Sequence, residues 1–510
     1  MSALLSVEDL SVDFGSGSPA VSEVSFSLTA GEVLAVVGES GSGKTVTAMS
    51  LLGLLPPTAS VSGRALLGGR DLYSLSPAEL REVRGNEVGM VFQEPMSALN
   101  PVFTIGSQIV EAVRVHRAVP KAAAKARALE LLRLVGLPEE RFGAYPHEMS
   151  GGQLQRVVIA MAVANEPSLL IADEPTTALD VTVQAEVLRL LRDLRDRLGV
   201  AILLITHDMG VVSELADRVV VMNGGKVVET GPVKEVFAAP REPYTRTLLD
   251  SVLRLDTREL PARAAGEPVL RLDGVSVTYG RFRAVSDVSF EIGRGQTLGL
   301  VGESGSGKSS LAGAITGLTR YTGRITVAGR EVASLRKADR GRVGLVFQDP
   351  LSSLNPRATI ARSIAQPLLL HTSSRGAELE AKVDSLLDAV QLSATLRDRY
   401  PHELSGGQRQ RVGIARSIAL DPDLLIADEP TSALDVTVQA RVLELVLSLQ
   451  RELRFACLFI SHDLAVVQHL ADRVAVLHRG VVVEEGTSVF AAPREEYTRR
   501  LLASALTVSA

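Results

Sequence analysis

Gly38-Glu39-Ser40-Gly41-Ser42-Gly43-Lys44-Thr45 returns almost letter for letter as Gly302-Glu303-Ser304-Gly305-Ser306-Gly307-Lys308-Ser309. Both stretches fit G-x-x-x-x-G-K-[ST]. Each follows a short apolar run, Val33–Val37 and Thr297–Val301, and precedes a helical pattern. That strand–loop–helix setting is what a phosphate-gripping loop requires. Its glycines let the backbone curl so that successive amides converge on phosphate oxygens, and the following helix turns its positive end to the same anion. Lys44 and Lys308 then reach the β- and γ-phosphates, while the hydroxyls of Thr45 and Ser309 ligate Mg²⁺. Two such loops imply two nucleotide sites.

Outward from the loops the whole chain repeats. Gln93 and Gln348, Ser150 and Ser405, Asp173 and Asp428, and His207 and His462 all stand 255 positions apart, whereas Lys44 and Lys308 stand 264 apart. The second copy is therefore nine residues shorter between lysine and glutamine, which a deletion in a surface loop explains. The expected division is residues 1–252, a short exposed linker over 253–268 marked by charges, Pro261 and Gly266, and residues 269–510. Apolar alternation over 5–14 and 270–279 predicts strands at a sheet edge. The alanine- and leucine-rich stretch 121–135 predicts a helix. Each copy reads as an α/β core with a helical insert.

Bulk properties exclude several classes. The 510 residues carry a net charge of −5, without the basic footprint of a general nucleic-acid binder. The single cysteine, Cys457, lies in an apolar run and reads as a buried strand residue, so no disulfide or cysteine-ligated cluster forms within the chain. No apolar run approaches the ~20 residues that span a bilayer, and the N-terminus lacks the pattern of a signal peptide. The expectation is a soluble, cytoplasmic chain whose membrane-spanning parts, if any, are other proteins.

Six further pairs of motifs recur in the same order in both copies. An aromatic residue, Phe14 or Tyr279, precedes each loop. Gln93 and Gln348 each follow Val-Phe. Ser150-Gly151-Gly152-Gln153 and Ser405-Gly406-Gly407-Gln408 open helices; a serine there caps the helix, and with bare backbone amides at the N-terminus it also suits a γ-phosphate. Leu169-Leu170-Ile171-Ala172-Asp173-Glu174 and Leu424-Leu425-Ile426-Ala427-Asp428-Glu429 deliver paired carboxylates to the C-terminal end of a strand, where ligands of open α/β sheets sit. His207 and His462 each follow a strand and precede an aspartate. Ala178-Leu179-Asp180 and Ala433-Leu434-Asp435 come after the carboxylates, with the aspartates placed to cap helices.

In this order and spacing, each half resembles the nucleotide-binding subunit of an ATP-binding-cassette (ABC) transporter. The resemblance implies two tandem P-loop NTPase (ABC-type) domains, each a RecA-like α/β core with an antiparallel β edge and a helical subdomain. It implies that Phe14 and Tyr279 stack on adenine. Asp173 and Asp428 would hold Mg²⁺ together with Thr45, Ser309, Gln93 and Gln348. Glu174 and Glu429 would act as general base, with His207 and His462 orienting the attacking water, and the Ala-Leu-Asp segments would carry communication between halves. It also implies head-to-tail pairing. One composite ATP site would join Phe14, Lys44, Thr45, Gln93, Asp173, Glu174 and His207 to Ser405 and Gly407. The other would join Tyr279, Lys308, Ser309, Gln348, Asp428, Glu429 and His462 to Ser150 and Gly152.

Among two-cassette families, the short linker and acidic balance argue against soluble translation factors, and one cysteine excludes the zinc modules of excision-repair ATPases. Gln93-Glu94-Pro95-Met96-Ser97-Ala98-Leu99-Asn100-Pro101 and its second copy, Gln348-Asp349-Pro350-Leu351-Ser352-Ser353-Leu354-Asn355-Pro356, resemble the dipeptide/oligopeptide/nickel importer ATPases. So do Tyr145-Pro146-His147-Glu148, Tyr400-Pro401-His402-Glu403, and the closing segments Pro240-Arg241-Glu242-Pro243-Tyr244-Thr245 and Pro493-Arg494-Glu495-Glu496-Tyr497-Thr498. The cysteine-containing tail that many relatives carry beyond that tyrosine is missing from both halves. The resemblance implies an ATP-hydrolysing subunit of a peptide importer at the cytoplasmic face of the membrane. Its partners would be two transmembrane permease subunits and an extracytoplasmic substrate-binding protein, with no nucleic acid and no membrane contact except through the permeases. A fused nickel or sugar importer ATPase, and a soluble two-cassette ATPase, are the alternatives.

Overall fold

The computed structural model describes residues 3–15, 17–177, 179–261, 266–335, 337–349, 353–432 and 434–505. Ala178 and Ala433 of the communication segments, and Pro350, Leu351 and Ser352 of the second glutamine segment, lie outside them. The chain forms two compact units whose main boundary falls between Val252 and Leu253.

In the first unit a six-stranded sheet runs in the order Lys226–Pro232, Arg218–Asn223, Val33–Val37, Ala201–Ile205, Leu169–Asp173, Val88–Val91. All neighbours are parallel except the first pair. Its central strands are apolar throughout because both faces are covered. Val33, Ala35 and Val37 pack into a core with the helices, while Leu34 and Val36 of the same strand pack into a second core on the opposite face. Strand Leu169–Asp173 divides likewise, Leu170 and Ala172 against Leu169 and Ile171. The helical insert, Ile105–His116, Lys121–Leu134 and Gly151–Ala162, shares the first of these cores. The second core is closed by a separate antiparallel sheet in the order Val21–Leu28, Leu5–Asp13, Ser60–Leu67, Arg70–Asp71.

The second unit repeats this plan. Its main sheet runs Val343–Val346, Leu424–Asp428, Ala456–Ile460, Thr297–Val301, Arg473–His478, Val481–Gly486, and its antiparallel sheet Phe282–Gly293, Pro268–Tyr279, Thr322–Val327, Arg330–Glu331. Cys457 is buried in strand Ala456–Ile460, where desolvation pushes its thiol up to about 12.

Three particulars differ from the sequence reading. The opening strands Leu5–Asp13 and Pro268–Tyr279 are interior to their antiparallel sheets, each paired on both sides, because alternation reports a half-buried face and not an edge. The nine-residue difference is two deletions. The offset between copies falls from 264 at Lys44/Lys308 to 260 at Gly63/Gly323 and 255 at Val88/Val343. The second step replaces the capped helix Pro77–Val83 with the 3₁₀ turn Lys337–Arg342. Finally, the stretch read as an exposed linker is held down at its start. Leu260 is buried and Leu253 and Leu255 pack on the second unit's core. The Asp256 amide donates to Gln468 Oε1 (2.9 Å) and the Leu260 amide to the Thr487 carbonyl (3.0 Å).

Each central strand is anchored by a carboxylate: the Val33 amide donates to Asp217 Oδ2 and the Thr297 amide to Asp472 Oδ2, both at 2.8 Å. Asp472 is buried, whereas the Asp217 side chain is about half exposed. Asp472→Ala strands a buried amide, a loss of about 1–3 kcal/mol; at Asp217 water replaces the carboxylate. Denaturant titration of the two variants is expected to show the larger loss for Asp472→Ala.

Candidate active site

The strand Val33–Val37 delivers the phosphate loop at the C-terminal edge of the sheet. At Gly38 the chain turns with φ 151°, and a Cβ there would stand 2.2 Å from the Met222 carbonyl oxygen; at Gly302 the φ is 152° and the clash, with the Leu477 oxygen, is at 2.1 Å. Gly43 and Gly307 lead into helices Lys44–Leu51 and Lys308–Ile315 in the left-handed region, again against backbone oxygens. Only glycine fits these positions. The loop folds its own lysine inward: Lys44 Nζ donates to the carbonyls of Gly38 (2.9 Å) and Glu39 (2.8 Å), and Lys308 Nζ to those of Gly302 (2.7 Å) and Glu303 (2.9 Å). Both lysines are buried.

The paired carboxylates stand beside it. Thr45 Oγ1 donates to Asp173 Oδ1 at 3.2 Å. Burial drives Asp173 up to about 6, and Asp428 is raised by the same cause. These hard oxygen donors fit Mg²⁺, whose charge would offset the burial of the carboxylate.

Glu174 and Glu429 hold φ values of 48° and 46°, uncommon for a residue with a side chain. Their amides donate to the carbonyls of Ile205 (2.8 Å) and Ile460 (2.9 Å). The carboxylates are clasped from two sides: Gln93 Nε2 donates to Glu174 at 2.7 Å and His207 Nδ1 lies 2.9 Å away. Gln348 and His462 do the same to Glu429 at 2.9 and 3.1 Å. Burial acts to raise Glu174 and Glu429, but the hydrogen bond and charge of the histidine outweigh it and hold both below the ordinary value. Burial likewise acts to lower His207 and His462, and the glutamates outweigh it and raise them. Sequence reasoning missed Thr177, whose hydroxyl donates to Glu174 at 2.9 Å; its counterpart Ser432 bonds the Glu429 carbonyl instead. Asp208 and Asp463, following the histidines, cap helices Met209–Leu215 and Leu464–Leu470.

Within each unit, then, the loop, Asp–Glu pair, glutamine and histidine are gathered at one sheet edge. Ser150 and Ser405 cap helices Gly151–Ala162 and Gly406–Ile418 through reciprocal bonds with Gln153 and Gln408, and both serines are exposed. A Cβ at Gly152 or Gly407 would meet Val183 or Val438 at 2.3 Å, so close packing also requires glycine there. Asp435 caps helix Val436–Leu453. Tyr279 is half exposed beside its loop, whereas Phe14 is partly buried against the core behind the antiparallel sheet. His147 and His402 stack on Tyr145 and Tyr400 and lie outside the cluster.

Comparison with known proteins yields two family matches. The ABC transporter family matches residues 21–177 and 285–432, and the oligopeptide/dipeptide transporter C-terminal region matches residues 228–273. Similar proteins include the peptidoglycan transport ATP-binding protein YejF of Agrobacterium fabrum, 49% identical over 99% of this chain and 97% of that protein. The oligopeptide transport ATP-binding protein OppD of Mycobacterium tuberculosis is 44% identical over 98% of each. The glutathione import ATP-binding protein GsiA of Escherichia coli K12 is 44% identical over 98% of this chain and 89% of its own length.

The His207–Glu174 pair makes a pH prediction. His207 is raised, so its contribution is complete below the ordinary value of 6.5 and lost as pH climbs through its own pKa. Glu174 is lowered, so its contribution is complete above 4.5 and lost as pH falls through its own pKa. The unfolding midpoints of parent and His207→Ala are therefore expected to differ most between pH 4.5 and 6.5 and to converge at higher pH.

Proposed function

The chain belongs to the ABC transporter family, and from that premise we propose that it is the ATP-hydrolysing subunit of an importer for peptides. The observation that carries this reading is the duplicated clasp: in both units a glutamate at a strand end is gripped by a glutamine and a histidine beside a lysine-bearing phosphate loop. Neither copy lacks a member of the set. The match to the oligopeptide/dipeptide transporter C-terminal region and the three relatives, named for peptidoglycan, oligopeptide and glutathione transport, support a peptide or peptide-like cargo.

Hydrolysis of ATP needs positioning and charge neutralisation more than covalent chemistry. Lys44 and Lys308 exchange loop carbonyls for phosphate oxygens. Glu174 and Glu429, kept ionised by their histidines, accept a proton from the attacking water, and Gln93 and Gln348 hold the carboxylates in place. Thr45, Asp173 and Gln93, with Ser309, Asp428 and Gln348 in the second unit, would hold Mg²⁺, which neutralises phosphate charge when bound.

In this reading the halves pair head to tail. Lys44 and its neighbours serve one ATP with Ser405 and Gly407, and Lys308 and its neighbours serve the other with Ser150 and Gly152. ATP draws the halves together because it touches both, and loss of the γ-phosphate lets them part. The movement passes to two permease subunits at the cytoplasmic face of the membrane, with a substrate-binding protein outside. Among the described residues no helix is long and apolar enough to cross a membrane. Met96, Val102, Phe103 and Val115, exposed around Gln93 and the helical insert, are the apolar surface such a permease would cover.

Two measurements test this. Glu174→Gln and Glu429→Gln, made singly, are each expected to lower ATPase turnover, by roughly 100-fold or more at the substituted site, while ATP binding persists. Turnover untouched by either change defeats the two-site reading. Because the lone cysteine is buried, Ser40→Cys with Ser405→Cys gives an almost silent background for a short thiol crosslinker. ATP is expected to raise crosslinking within the chain severalfold, and failure to crosslink with ATP bound defeats the head-to-tail arrangement.

A further inference from the structure

The segments that close the two units, Pro240-Arg241-Glu242-Pro243-Tyr244 and Pro493-Arg494-Glu495-Glu496-Tyr497, are left unused by the nucleotide chemistry above. In both units they are bound down in the same way. Glu229, on the sheet's last strand, accepts the amides of Arg241 and Glu242 at 2.9 and 3.2 Å; Glu484 accepts those of Arg494 and Glu495 at 2.8 and 3.2 Å. These bonds fix the start of the closing helix, Pro243–Asp250 or Glu496–Ala503. From its first turn a tyrosine reaches across the sequence to the phosphate loop. The Glu39 amide donates to the Tyr244 hydroxyl at 3.1 Å, and the Glu303 amide to the Tyr497 hydroxyl at 3.0 Å.

The residue so gripped is the one whose carbonyl oxygen holds the loop lysine, Glu39 for Lys44 and Glu303 for Lys308. One residue therefore joins closing helix to lysine, its amide to the phenol and its carbonyl to the ammonium. In the second unit the ring has further partners: His478 stacks on Tyr497 at 3.8 Å with planes 10° apart, and the Arg500 guanidinium lies 5.6 Å from the ring centroid while pairing with Glu303. In the first unit the positions of His478 and Arg500 are taken by Asn223 and Thr247.

We propose that Tyr244 and Tyr497 are positioning residues for the phosphate loop, through which the closing helix of each unit sets ATP affinity. Each phenol fixes the second loop residue in the place from which its lysine can be handed to the phosphates. Since the loop grips phosphate in ground state and transition state alike, loosening it weakens binding more than turnover. The inference rests on the loop being the ATP site, and an ATP-binding, ATP-hydrolysing parent chain secures that premise separately.

Tyr244→Phe and Tyr497→Phe remove only the hydroxyl. Their combination in the full chain is expected to raise the ATPase KM and the Kd for a fluorescent ATP analogue by about 3- to 10-fold, the scale of one lost hydrogen bond per site. kcat is expected to change less than KM, and the unfolding midpoint without nucleotide to stay within a degree or two. Thr247→Val is the control. It removes a hydroxyl of the same helix that bonds only the Pro243 carbonyl in the tail (3.0 Å), and is expected to leave KM unmoved. The proposal is overturned if the double Phe variant binds ATP within twofold of the parent. It is equally overturned if Thr247→Val raises KM as much, or if kcat falls while KM holds.

Discussion

No carbon atom can be added to residue 38 or 302. The hydrogen of each glycine stands where a side chain would drive into the carbonyl oxygen of the neighbouring strand, at Met222 or Leu477. This close approach lets the loop leave the sheet at once, curl over its own strand end and bring the lysine back onto the carbonyls it has just passed. The active-site groups are then gathered without long reaches. The carboxylate pair ends a parallel strand two places along the sheet, and the histidine follows the strand between. A parallel sheet points all its C-terminal ends one way, so a loop that turns tightly there finds the acids already beside it.

The adjacent carboxylates show how finely burial is divided. Asp173 is pushed up toward about 6 by desolvation, while Glu174, the next residue, is held below its ordinary value by a histidine. Two neighbours in sequence thus acquire opposite tendencies from what each side chain faces. The left-handed backbone at Glu174 and Glu429 turns the second carboxylate away from the strand direction. Such a conformation costs about 1–3 kcal/mol, which the amide bond to Ile205 or Ile460 and the side-chain clasp offset.

Much of this was legible in the sequence because it is local. Glycine spacing, apolar runs ending in Asp-Glu, and a serine opening a glycine pair each describe a few consecutive residues, and duplication fixed their register. What escaped was set by distance. Glu39 and Tyr244 are 205 positions apart, and nothing in either segment names the other. Repetition of the Pro-Arg-Glu-x-Tyr-Thr ending marked it as meaningful without saying what it touched. The linker was misjudged at its start for a similar reason: charges and Pro261 outweighed Leu253, Leu255 and Leu260, whose apolar partners lie elsewhere in the chain. The matched aromatics also differ in setting, which their positions alone do not reveal: Phe14 packs partly against the core while Tyr279 stands half exposed.

The sealing of Cys457 inside a central strand has one more result. With the only thiol out of reach, peroxide meets no sulfur of that kind at the surface. Sulfoxide chemistry falls instead on thioethers. Met96 is the one exposed methionine among the described residues, 47% accessible, three positions from Gln93. Among the described methionines, oxidation is therefore expected first at Met96, in the turn that follows Gln93, and not beside the phosphate loops.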